Sequence, residues 1–169
     1  AATADLSGAT LAGASLIRTN LTGANLTTAY LANANLHKAN LTGADLTSAE
    51  IAGTGREPTD LTGVNLTNAT VRLANLAGVD LTAANLTGTN FTGATLSRAT
   101  LTGTTLAGTT LREADLTQVD LSGRYLSRFD LTGANLTGAN LNLANLSDAN
   151  LNKANLTGAT LHLADLAGA

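Results

Sequence analysis

The sequence predicts an all-β solenoid, a chain that turns once every five residues and stacks its turns into a rod. Three observations predict it. Leucine fills 29 of the 33 positions that run in steps of five from Leu6 to Leu166; Ile51, Arg56, Val71 and Phe91 fill the others. The position two residues earlier is small, with 22 Ala, 6 Thr and 3 Val, and only Arg124 and Phe129 depart from that. Sixteen of the 17 glycines fall two residues after the leucine position.

A period of five matches neither the 3.6 of a helix nor the 2 of a strand. It describes a chain with one turn per block and two inward side chains, one large and one small. Glycine after the leucine suits a turn position of positive φ, where the missing Cβ removes the steric cost. The intervening Asn, Asp and Thr face outward.

The blocks ADL and ANL, and the run GANLTGANL from Gly133, resemble the pentapeptide-repeat family, whose consensus is A(N/D)LXX. The resemblance covers essentially the whole chain. It implies a right-handed quadrilateral β-helix with the leucine and the small residue inside. One solenoid over residues 1–169, of about eight twenty-residue coils, is therefore expected, with an irregular block at 54–58 and a local disturbance at 124–129. Four buried leucines contribute roughly 6–12 kcal/mol per coil. Ordering twenty residues costs at least about 20 kcal/mol of backbone entropy. A lone coil is unstable, and only stacking, which pairs the backbone and seals the leucine column, makes the array hold.

Composition narrows the function. With no cysteine there are no disulfides or thiolate sites. No basic-then-apolar signal segment opens the chain and no apolar run approaches a membrane span. Methionine is absent, at the first residue too, which implies a processed, excised or engineered start. A net charge of −3 points to neither nucleic acid nor membrane as a partner. His37 and His162 are far apart along the stack, and no acid or histidine has metal-ligand or phosphate-loop spacing. The expectation is a non-catalytic protein without cofactor or metal.

Contact sites are sought among the exceptions. Thr54, Gly55, Arg56, Glu57 and Pro58 read as one replaced block. A guanidinium cannot be buried unpaired in a leucine column, and Pro58 has no N–H for the next coil. The block is expected to bulge as a surface loop while Ile51 and Leu61 keep their phase, giving a contact loop at Gly55, Arg56, Glu57 and Pro58. In some relatives that act on gyrase, loops of this kind matter for activity; this one is shorter. The second exception is Arg124, Tyr125, Arg128 and Phe129. Arg124 and Phe129 take two successive small-residue places, so either the helix swells there or Arg124 swings out along the coil edge. The third is Leu143 and Leu163, twenty residues apart on an outward line, which form an apolar patch with His162.

Three functions are weighed on these features. The first is a structural or interaction scaffold that associates with itself as a dimer or head-to-tail fibre, through its uncapped ends or its C-terminal surface, with no direct nucleic-acid contact. The second, implied by the resemblance, is mimicry of duplex DNA to bind gyrase. A rod of about 40 Å would face roughly 24 phosphate charges in DNA, against twelve acids here offset by nine bases. Asp60 and Asp80 share one column, with Asp120 two coils on. The third is ice binding through two threonine ladders, Thr22, Thr42, Thr62, Thr82 and Thr102 on one column and Thr27, Thr47, Thr67 and Thr87 on the next.

Overall fold

The structure, a computed structural model, describes residues 3–54 and 58–169. Among the described residues each five-residue block outside 51–60 makes one turn. The carbonyl of the leucine accepts the N–H three residues on, as in Ala9 to Leu6 at 3.0 Å, and the residue before that donor has positive φ. This is the type II arrangement. Gly8 and Gly133 meet it at 65° and 68°, and so do non-glycine residues such as Leu73 at 56° and Leu143 at 61°. A left-handed residue with a Cβ costs roughly 1–2 kcal/mol, and the ladder around it must offset that.

Successive coils pair in parallel. Asp5 bridges Asn25 and Asn25 bridges Asp45; Leu26 N–H donates to the Asp45 carbonyl at 2.7 Å, and Asn25 N–H to the Ala4 carbonyl at 2.9 Å. Four blocks complete one coil, so the rod is four-sided. The two inward residues of each block form the core: Leu26, Leu31, Leu36 and Leu41 are fully buried, as are Ala29, Ala39 and Ala44. Phe91 is accommodated in a leucine place, buried like its neighbours. Where Thr89 and Thr109 replace the small alanine, their hydroxyls donate to the Leu66 and Leu86 carbonyls, both at 2.8 Å. A buried hydroxyl without such a partner would be destabilising.

The residue before each leucine has a second task. Its Oδ1, from Asn or Asp, accepts the N–H two residues on, as in Thr47 to Asp45 and Thr62 to Asp60, both at 2.9 Å. A threonine there adds its hydroxyl to the same oxygen, at 2.6 and 2.7 Å. This Asx turn, an intrinsic habit of Asn and Asp, explains why Asn-Leu-Thr and Asp-Leu-Thr recur.

The ladder corrects one expectation. Asn35 bridges Asp60, Asn40 bridges Asn65, Asp45 bridges Thr70 and Glu50 bridges Asn75, each pair twenty-five residues apart where every other coil steps by twenty. The block at 54–58 is an addition to a coil and not a replacement within it. The phase of five survives, but the columns shift by one block. Thr62 stacks on His37, whose Nδ1 lies 2.6 Å from the Thr62 hydroxyl, and Thr42 stacks on Thr67. The two long threonine ladders are therefore crossed at this coil. Their hydroxyls also turn to the Asx oxygens, as Thr22 to Asn20 and Thr42 to Asn40, both at 2.6 Å.

Candidate interaction surfaces

At the C-terminal end of the rod the turn positions of one corner carry leucine. Leu143 N–H donates to the His162 carbonyl at 2.9 Å, which places Leu163 beside Leu143 on the next coil. On preceding coils the same line holds Ala83, Gly103 and Gly123. Leu143 is 61% and Leu163 71% exposed, and His162 is exposed beside them. The His162 N–H is held by Asn142 Oδ1 at 2.7 Å. Tyr125, 83% exposed, lies two residues past Gly123, whose N–H donates to the Asn142 carbonyl at 2.8 Å. Tyr125 bridges Asn145, on the coil that carries Leu143.

Around Arg124 the stack widens. The half-buried Arg124 side chain reaches to the preceding coil, where its Nη2 donates to the Thr104 carbonyl at 2.5 Å and the Thr104 hydroxyl at 2.7 Å. Phe129 stays half-buried against the core. The stack opens where they sit. The N–H groups of Leu101, Gly103, Leu106, Gly108 and Leu111, and those of Asp120, Tyr125 and Asp130, make no inter-coil bond, and the bridges at Asp120, Tyr125 and Asp130 to the preceding coil are absent. On the fourth side the ladder continues, with Thr95 bridging Asp115 and Asp115 bridging Asn135. The result is a wedge closed along the Asp115 side. Its cleft, about 490 Å³, is lined by Thr104–Ala107, Gly123–Tyr125 and Phe129. Arg128 stands apart, exposed and 3.8 Å from Asp148, a contact worth little in solvent. Sequence reading missed Thr104 and Leu106 as lining residues. The available signal was their place, twenty residues before Arg124 and Leu126.

Of the first exception, Gly55, Arg56 and Glu57 lie outside the described residues; Pro58 is exposed. Its flanks are pinned. Asn33 Oδ1 accepts the Thr54 N–H at 3.1 Å, and Asn33 Nδ2 donates to the Thr54 hydroxyl at 3.3 Å. Buried Thr59 donates to the Ile51 carbonyl and accepts the Asn33 N–H at 2.9 Å.

The acids are dispersed over the faces. Asp60 and Asp80 do bridge each other, but Thr100 follows Asp80. Asp120 does not complete that line, because the wedge separates it from Thr100. Three carboxyls are held below their ordinary range by their Asx turns. For Asp5 and Asp130 the main cause is the hydroxyl of Ser7 and Thr132, and for Asp120 the N–H of Ser122; Arg112, 3.5 Å from Asp130, adds to its shift. Among the described residues no group of three or more His, Asp or Glu side chains converges as a metal site.

Five-residue turns, parallel coil pairing and a two-residue inward stripe define a repeat protein of the β-solenoid class. The chain belongs to the pentapeptide repeat family: the family's profile, pentapeptide repeats, matches residues 4–42, 24–54, 59–98, 96–133 and 130–168. Its fold is accordingly the right-handed quadrilateral β-helix. Among solved structures it is similar to HetL, a pentapeptide repeat protein involved in heterocyst differentiation regulation in the cyanobacterium Nostoc sp. strain PCC 7120. That match has 36% identity, covers 94% of this chain and 64% of HetL, and has a TM-score of 0.49. The chain thus spans less than two-thirds of HetL's length. It is also similar in fold to QnrB1, a plasmid-mediated fluoroquinolone resistance protein. The full-length form has 18% identity, 98% and 90% coverage of the two chains and a TM-score of 0.67. A trypsin-treated variant has 16%, 93% and 89%, and 0.71. No curated protein matches significantly.

Proposed function

We propose that this chain is a non-catalytic interaction scaffold, a single solenoid over 1–169 of about eight coils, which pairs with a second copy through the corner bearing Leu143, Leu163 and His162. One observation carries the reading: two leucines, 61% and 71% exposed, stack where the four preceding coils of the same line hold Gly63, Ala83, Gly103 and Gly123. Leu73 has the same left-handed turn and the same 61% exposure as Leu143, but only Leu143 and Leu163 stand on successive coils. Burying four leucines across a twofold axis gains roughly 6–10 kcal/mol, against association costs of about 4–15. The outcome is a weak, reversible dimer.

Sedimentation equilibrium over a concentration series, with negative-stain images of the same samples, tests this. The expected result is a monomer–dimer equilibrium that Leu143→Glu with Leu163→Glu abolishes without loss of the β-sheet circular dichroism. A strict monomer at all concentrations, or a dimer indifferent to both substitutions, refutes it.

The second reading, DNA mimicry toward gyrase, has the Asp60–Asp80 pair in its support and a fold shared with QnrB1, a fluoroquinolone resistance protein. The interspersed bases and the break after Asp80 weaken it. Inhibition or protection of purified gyrase in a supercoiling assay would favour it over the scaffold reading.

A further inference from the structure

We propose that the wedge between the coils of residues 96–115 and 116–135 is a binding site for an extended peptide segment carrying a carboxylate, distinct from the Leu143–Leu163 corner. Two properties of the cleft point to this occupant. Its two edges are β-ladder edges without partners. Leu106 and Gly108 present N–H groups from one side and Tyr125 from the other, where every flanking coil has these groups bonded. Unpaired ladder groups are satisfied by another extended strand, the mode of recognition by β-augmentation.

The second property is charge. Arg124 lies partly buried in the cleft, and no carboxylate of the described residues comes within ion-pair distance of it. Its Nη2 is engaged by Thr104, while Nε and Nη1 have no protein acceptor and are not sealed from solvent. A guanidinium held by one nitrogen, with two others unpaired and open to solvent access, is preset for a carboxylate. Tyr125, 83% exposed at the mouth, provides an aromatic surface for the segment's side chains. The occupant is therefore a strand with an acidic side chain in register with Arg124. An isolated small carboxylate would satisfy the charge and leave the ladder edges open.

The probes are two synthetic peptides, acetyl-TVEVT-amide and acetyl-TVQVT-amide, with acetate as a third. Nuclear magnetic resonance titration of the full chain reads the amides of Leu106, Gly108 and Tyr125, and hydrogen exchange reads their protection. The acidic peptide is expected to shift and protect these amides and to bind about tenfold more tightly than its glutamine counterpart. Arg124→Gln should remove that difference, and Arg124→Lys should restore part of it. Closing the wedge with Arg124→Ala and Phe129→Ala should abolish binding of both peptides. The proposal fails if the three amides are already protected in the free chain, or if neither peptide perturbs them at its solubility limit. Equal affinity of the two peptides for the native chain overturns the role of Arg124, and acetate acting as well as the acidic peptide overturns the strand.

Discussion

Replacing Arg124 and Phe129 together by alanine should stabilise the protein, although Phe→Ala in a packed interior ordinarily costs about 3–5 kcal/mol. Both residues occupy places that elsewhere hold Ala, Thr or Val, and between them they hold the stack open. Closing it would restore about eight main-chain bonds, each worth roughly 0.5–1.5 kcal/mol net. Against this stand the two bonds from Arg124 to Thr104, about 2 kcal/mol together, and the half-burial of Phe129, about 1.5 kcal/mol. The balance is a gain of roughly 4 kcal/mol, or about 10 °C in Tm for a domain of this size. Because repeat arrays can unfold in parts, the assay should resolve position. Hydrogen exchange followed by nuclear magnetic resonance should show the amides of Leu101, Leu106, Leu111, Tyr125 and Asp130 exchanging quickly in the native chain. In the double variant they should slow to the level of Leu121 and Leu131, alongside the rise in Tm. A fall of several degrees with no added protection would show that Phe129 is a well-packed core residue, and the account of the wedge would be wrong.

Two other predictions follow from the same geometry. Deleting Thr54 through Pro58 leaves every other coil pair in place, since Ile51 and Thr59 already close onto the same coil; Tm by circular dichroism should stay within about 3 °C or rise, as loop shortening costs little. The lowered carboxyls of Asp120 and Asp130 give the acid limb its sign. A group whose folded pKa lies below its unfolded value contributes stability above the unfolded value, near 4, and loses it as pH falls through the folded one. Tm should therefore be level from about pH 7 to 5 and fall below about pH 4, and Asp120→Asn, which keeps the Oδ1 acceptor, should make that fall shallower.

The period of five, the inward leucines and the small partner residues were all readable because each is a local demand repeated in every block. The left-handed turn was readable where glycine marked it and silent at Leu143, Arg18 or Lys38, where stacking overrides the preference of the residue. The extra block was visible at Pro58 and Arg56, yet its effect on the columns was not. A five-residue addition leaves the five-residue phase untouched, and only the coil-to-coil pairing of Asn35 with Asp60 reveals the shift. At Arg124 the strain was evident from residue volume alone. That it opens three sides of the ladder and leaves the Asp115 side closed depends on contacts twenty residues away, which no local pattern encodes.

The pinning of the added block by Asn33 and Thr59 has a practical side. Thr54 and Thr59, on either side of residues 55–57, are each fastened to Asn33 of one coil, and Thr59 also to Ile51, so a change of length between them is expected to leave the stacking downstream in place. The corner therefore works as a splice point. A foreign epitope or linker set between Thr54 and Pro58 would be carried at a fixed height on the rod and with a fixed bearing around it. A second protein set there would stand at a fixed distance from the Leu143–Leu163 corner, whose pairing is proposed above.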